Sequence, residues 1–106
     1  MTKKHRSPCP IARTLDIIGD KWTLLVLRDA IFFDRRSFAD FENSLEKIPT
    51  NLLTERLKRL VEHRFLEKVA YQDNPVRYHY LPTEKGKAVR PVIRAMKNFG
   101  KTHLTN

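Results

Sequence analysis

The sequence predicts an α+β fold, mostly α, in which a run of helices leads into one β-hairpin and then back to helix. Three observations predict it. Apolar residues recur at helical spacing from Ile11 to Val61. The period switches to two between Leu66 and Leu81. Helical spacing returns after Thr83, along Val89, Val92, Ile93, Met96 and Phe99. With 106 residues, the chain reads as a single domain over 1–106, with a basic arm at 1–9.

Each element has its own local signals. Pro10 suits a first helical turn, Ile11, Leu15 and Ile18 give the helix its apolar stripe, and Gly19 suits its stop. Asp20 is placed to cap a second helix from Lys21 to Phe32. Trp22, Leu24, Leu25, Val26, Leu27, Ile31 and Phe32 make that helix apolar on most faces, which predicts a central position. Asp34-Arg35-Arg36 reads as a turn. Ser37 opens a third helix with Asp40 as its capping partner, and Phe38, Phe41 and Leu45 are expected to face inward. Lys47-Ile48-Pro49 breaks that helix. Thr50 is expected to cap a fourth, running to about His63, with Leu53, Leu57, Leu60 and Val61 on its apolar face.

The hairpin follows directly. Val69 and Tyr71 alternate in a run from Leu66 to Gln72, Asp73-Asn74-Pro75 marks a turn, and Val76, Tyr78 and Tyr80 alternate on the way back. This alternation predicts tyrosines packed on the helices rather than stacked on bases. Thr83 should cap the last helix, with Pro91 kinking it. Two short helices joined by a tight break and followed by a hairpin form a winged helix-turn-helix. The hairpin is its two-stranded wing.

The formal charge is +9, from 21 Lys and Arg against 12 Asp and Glu. That surplus favours a polyanionic partner, nucleic acid before an acidic membrane surface. A single cysteine, Cys9, excludes an intrachain disulfide framework and fits a reducing, cytoplasmic setting. No run approaches the ~18 apolar residues of a membrane span. His5, His63, His79 and His103 lack metal-ligand spacing, and there is no serine elbow, phosphate-cradling glycine loop or paired carboxylate motif. An enzyme, a metal and a cofactor are therefore not expected.

Operator binding needs both phosphate neutralisation and side chains that reach base edges. With the leucines of the fourth helix inward, helical geometry turns Asn51, Glu55, Lys58 and Arg59 outward, with Thr50 and Thr54 at the flank near its start. Asn51 suits adenine, Lys58 suits guanine or phosphate, and Glu55 suits cytosine or the orientation of a nearby arginine. Arg35, Arg36 and the hairpin residue Arg77 are placed for backbone or minor-groove contact. Each of these charges, taken singly, also fits a solvated helix face. A winged helix that binds protein instead of DNA is the competing reading, and it has no need of this basic surplus.

The same residues carry a family resemblance. Cys9-Pro10-Ile11, Ile18-Gly19-Asp20-Lys21-Trp22-Thr23-Leu24-Leu25-Val26-Leu27-Arg28 and Phe38-Ala39-Asp40-Phe41 resemble the HxlR-type regulators, winged helix-turn-helix relatives of the MarR group. So do Ile48-Pro49-Thr50-Asn51-Leu52-Leu53-Thr54-Glu55-Arg56-Leu57, Pro75-Val76-Arg77-Tyr78 and Thr83-Glu84-Lys85-Gly86. His79 and Pro82 depart from the pattern, on or just after the outgoing wing strand. The resemblance implies a cytoplasmic bacterial regulator, read here as a repressor. It would bind double-stranded operator DNA as a homodimer through its first and last helices, with the helix from Thr50 as recognition helix. Its operator would be an inverted repeat with half-sites about 34 Å apart, one DNA turn, or a multiple of that.

Some members of that family sense oxidants or electrophiles through a cysteine just before the first helix, where Cys9 stands. A helix N-terminus and nearby cations favour the reactive thiolate, and Lys3, Lys4, His5, Arg6 and Arg13 are close in sequence. The alternative is a free cysteine with no role, or a small residue buried in a dimer interface. Trp22 is read as core or dimer packing ahead of an effector pocket.

Overall fold

Pro10 fixes where the first helix begins. Its locked φ and missing N–H suit the first turn, and α1 runs Pro10–Ile18 with Cys9 at the N-cap. The computed structural model describes residues 8–105, so most of the basic arm expected at 1–9 lies outside the described residues. Gly19 closes α1, and a Cβ built there would sit 2.4 Å from the Leu15 carbonyl oxygen. The chain therefore turns directly into α2 (Lys21–Phe32), capped by Asp20, whose carboxylate accepts from the Thr23 N–H.

Helix α2 is central, as its all-round apolarity predicts. Val26, Leu27, Ala30 and Ile31 are buried, and Trp22, Leu24 and Phe32 pack half-buried against the same core. The buried Asp29 is held by the Nε and Nη2 of Arg28. Arg28 also grips Glu46 bidentately at 2.9 and 2.7 Å. This grip holds the Glu46 carboxyl down at about 2, against an opposing push from burial.

Helix α3 (Phe38–Glu42) opens with the expected capping box: Asp40 N–H donates to Ser37 Oγ, and Ser37 N–H donates to the Asp40 carboxylate. It ends sooner than the apolar spacing implies. Ser44 turns inward and is buried, donating to Glu46 and accepting from Arg28. Its side-chain hydrogen bonds compete with continued helix. Leu45, expected inward, is consequently thrown out to 84% exposure.

Helix α4 (Thr50–Glu62) starts one residue earlier than the cap expected at Thr50. Pro49 occupies the N-cap, and its carbonyl takes the first helical bond from Leu53. Thr50 is the first helical residue, with its hydroxyl donating to Glu42 at 3.3 Å. Leu53, Leu57 and Leu60 are buried as the spacing requires.

Strands β1 (Leu66–Asp73) and β2 (Val76–Pro82) pair antiparallel, from Leu66 opposite Pro82 to Asp73 opposite Val76. Ala70 faces Tyr78 and Gln72 faces Arg77, which leaves Tyr71 as an extra residue in a bulge. That bulge re-aims the side chains. Of the three tyrosines expected against the helices, Tyr80 packs edge-on to Phe41 at 6.4 Å, while Tyr71 and Tyr78 remain exposed. Tyr71 stacks on His79 at 4.0 Å instead. The base of the hairpin is tied to the start of α3 through Tyr80 N–H donating to the Arg36 carbonyl at 2.7 Å.

Thr83 caps a short helix α5 (Glu84–Lys87), and a separate α6 (Arg90–His103) follows. The single kinked helix expected here is two helices. Pro91 lacks an N–H to bond backward, so it sits in the first turn of a new helix. Val89 and Ile93 close the core from above. On the outer side, Ile11 and Leu15 of α1 and Val92, Met96 and Phe99 of α6 are exposed apolar residues.

Candidate nucleic-acid interface

The leucine face of α4 packs on α2, α3 and β1, so its opposite face is free to meet a partner. Thr50, Asn51, Thr54, Glu55 and Lys58 are all exposed there. Thr54 donates its hydroxyl to the Thr50 carbonyl at 3.0 Å. Glu55 pairs with the neighbouring Arg56.

Arg59 does not turn outward. Its Nη2 donates to Asp20 Oδ1 at 2.5 Å and to Thr23 Oγ1 at 2.7 Å. Arg56, one turn earlier on α4, donates through Nε to Asp20 Oδ2 at 3.0 Å. Asp20 thus receives two arginines from α4 while still capping α2. Burial acts to raise its pKa, but hydrogen bonds from the Thr23 hydroxyl and N–H and from Arg56 prevail, lowering it to about 2. The α4 helix is anchored to the start of α2 by charge as well as by its leucines. The pairing of Arg56 and Arg59 on one carboxylate was missed from sequence. The signal was present, since residues at i and i+3 share a helix face, but Asp20 lies 36 residues from Arg56.

Outside α4, Arg36 and the hairpin residue Arg77 are exposed. Arg35 is half-buried and donates through Nη1 to the Asp40 carbonyl at 3.1 Å. Arg36 and Ser37 N–H groups both donate to the Asp40 carboxylate, holding it below the usual carboxylate range. The hairpin adds residues that sequence reasoning left aside. Lys68 Nζ lies 4.3 Å over the Tyr78 ring. A cleft of about 240 Å³ between hairpin and α3 has Tyr71, Arg77 and Tyr78 in its lining. Helix α4, the start of α3 and the hairpin thus expose threonine, asparagine, glutamate, lysine and arginine side chains.

The profile of the HxlR-like helix-turn-helix family matches residues 17–106. The chain belongs to that family. An HTH-type transcriptional regulator of Mycobacterium tuberculosis is 36% identical to it over 94 residues, 89% of this chain and 58% of the relative. The chain thus spans under three fifths of that relative's length. A second HTH-type transcriptional regulator, from Synechocystis sp., is 33% identical over 111 residues, 98% of this chain and 82% of the relative. Among solved structures, PA1607 superposes with a TM-score of 0.85 at 36% identity, over 95% of this chain and 69% of its own. The redox regulator HypR in its reduced form superposes with a TM-score of 0.79 at 28% identity, over 89% and 92%. These similarities establish the HxlR-like chain as a mostly helical winged helix-turn-helix.

Cys9 is exposed beside the first turn of α1, and its carbonyl accepts from the Arg13 N–H at 3.0 Å. Lys3, Lys4, His5 and Arg6, the other cations expected near the thiol, lie outside the described residues. Trp22 is half-buried against the core, with Lys21 Nζ 4.7 Å over its ring. Among the described residues, no helix is long and apolar enough to cross a membrane, and no group of three or more His, Cys, Asp and Glu is placed to hold a metal ion.

Proposed function

We propose that this protein is a cytoplasmic, DNA-binding transcriptional regulator, not an enzyme, that represses by covering an inverted-repeat operator as a homodimer. The observation that carries the reading is α4: an exposed Thr50, Asn51, Thr54, Glu55 and Lys58 face on a helix clamped to the domain by Asp20, in a chain of the HxlR-like helix-turn-helix family. Asn51 and Lys58 reach bases. Arg36 and Arg77 hold phosphates, and Arg35 supports them from its half-buried place. Arg59 acts mainly through its bond to Asp20. The net charge of +9 supplies long-range attraction to the duplex. The exposed apolar side chains of α1 and α6 supply a surface for a second copy.

Oxidant sensing through Cys9 belongs to the same proposal. Its support is the exposed thiol at the start of α1 and the similarity to a protein described as a redox regulator. Oxidation of two Cys9 thiols, one from each copy, would join them as a disulfide. The oxidant takes up the two electrons and the two protons leave. A Cys9→Ser variant should keep operator binding and lose its response to oxidant; a full response in the variant refutes the sensor.

The test of the main reading is binding to DNA upstream of the protein's own gene against a random duplex, across a salt series. Preference for the upstream duplex, with affinity falling steeply as salt rises, supports an operator reader. Absence of binding at low salt refutes it and favours a protein-binding winged helix.

A further inference from the structure

Helix α6 contains Arg90, Arg94, Lys97, Lys101 and no acidic residue. Arg90, Arg94 and Lys97 recur at the spacing of one helix flank. Among the described residues, the ion pairs leave Arg90, Arg94 and Lys97 without a carboxylate. The buried Asp29 and the Glu46 carboxylate are both occupied by Arg28.

These cations border apolar space. Two adjoining pockets of about 150 and 310 Å³ lie between α2 and α6, and both are lined by Arg28, Ile93 and Lys97. One adds Phe32, Phe33 and Arg94. The other adds Leu24, Leu25 and Met96. The aromatic rings already face cations: Arg90 lies 5.0 Å and Arg94 5.9 Å from the Phe32 centroid, and Arg28 lies 5.4 Å from that of Phe33. Phe33 is 55% exposed and Met96 52%.

We infer that the α2–α6 groove is a binding site for a small amphipathic organic anion, a flat apolar body carrying one acidic group. The body lies on Phe33 and Ile93, with Met96 at the edge shared with the apolar face of α6, and the acid meets Arg94 and Lys97. A neutral ligand leaves those cations unanswered. A purely inorganic anion leaves the aromatic floor wet. The combination selects a molecule with both parts. This site is separate from the exposed face of α4 and does not depend on the DNA-binding reading.

Titration of the full chain with the fluorescent dye anilinonaphthalene sulfonate tests the site directly. Circular dichroism and melting are followed in parallel, because the dye also lights up loosened cores. The native protein should bind the dye saturably. Naphthoate should displace it, and the isosteric neutral naphthamide should displace it at least about tenfold less well, the loss of one charge-assisted contact. The Arg94→Gln and Lys97→Gln variants should each bind it about tenfold more weakly with unchanged melting. Equal displacement by acid and amide would reduce the groove to a greasy surface and overturn the proposal. So would undiminished dye binding in both variants. A third overturning result is loss of dimer mass in either variant on sedimentation, without change in dye binding, which would make the groove an interface with a second copy.

Discussion

Replacing Asp20 separates two roles that one carboxylate performs. Asp20→Asn keeps a side-chain oxygen able to cap α2 and removes the charge that holds Arg56 and Arg59. Asp20→Ala removes both. A carboxyl ionising at about 2 instead of 3.8 corresponds to at most ~2.5 kcal/mol of added stability at neutral pH. Its side chain is 36% exposed, so solvent screening reduces this to about 1 kcal/mol. Loss of the cap adds about 1 kcal/mol for alanine. The Asp20→Asn variant should therefore lose about 1 kcal/mol and Asp20→Ala about 2 kcal/mol, or roughly 4–8 °C of melting temperature for each kcal/mol in a domain of this size. The pH dependence has a definite sign. The folded-state pKa is depressed, so the stabilisation is fully present above the unfolded value of 3.8 and disappears as pH falls through about 2. Thermal melts from pH 7 to pH 2 should show a steep acid loss in the parent and a shallower one in Asp20→Asn. Some slope remains, because Glu46 is also held at about 2 by Arg28. An Asp20→Asn protein with the parent's melting temperature and the parent's acid slope would refute the clamp.

Lys58 and Arg59, neighbouring cations of α4, should behave oppositely. Lys58→Ala should weaken duplex binding and lower the salt slope by about one, with little change in melting, whereas Arg59→Ala should lower melting first, since Arg59 bonds Asp20 and Thr23. Isothermal titration across salt and thermal melts on both variants check this, and equal stability in the two would contradict it. Two glycines make a matched pair. Gly86→Ala puts a Cβ 2.1 Å from the Phe65 carbonyl oxygen and should cost more than about 2 kcal/mol. Gly100→Ala meets nothing within 4 Å and should stabilise α6 by about 0.5–1 kcal/mol. Urea unfolding of both should give shifts of opposite sign.

The helices were legible because their signals are local. The capping box of Ser37 and Asp40 and the leucine spacing of α4 are each contained within a few residues. The errors arose where a distant or competing partner decided the outcome. Leu45 has the right spacing for the third helix, but Ser44 finds partners in Arg28 and Glu46 and turns the chain. Tyr71 alternates correctly in sequence, and one bulge turns it onto His79. Arg59 looks outward on a helical wheel until Asp20, far back in the chain, draws it in. Candidate base-reading residues were legible for the same local reason, since they are what remains once the leucines are assigned. The Arg56 and Arg59 clamp and the cationic flank of α6 needed the tertiary arrangement.

Ile18 is the buried residue of α1, while Ile11 is 71% and Leu15 58% exposed. Nine residues are too few to hold a helix in water by themselves. The backbone amides of α1 should therefore exchange with solvent deuterium quickly in dilute solution and slow down as concentration brings a second surface over Ile11 and Leu15. The opening of that one helix becomes a gauge of assembly, readable with no DNA present. Because Gly19 joins it directly to the Asp20 clamp, it also places the first site of local unfolding next to the residue that orients α4.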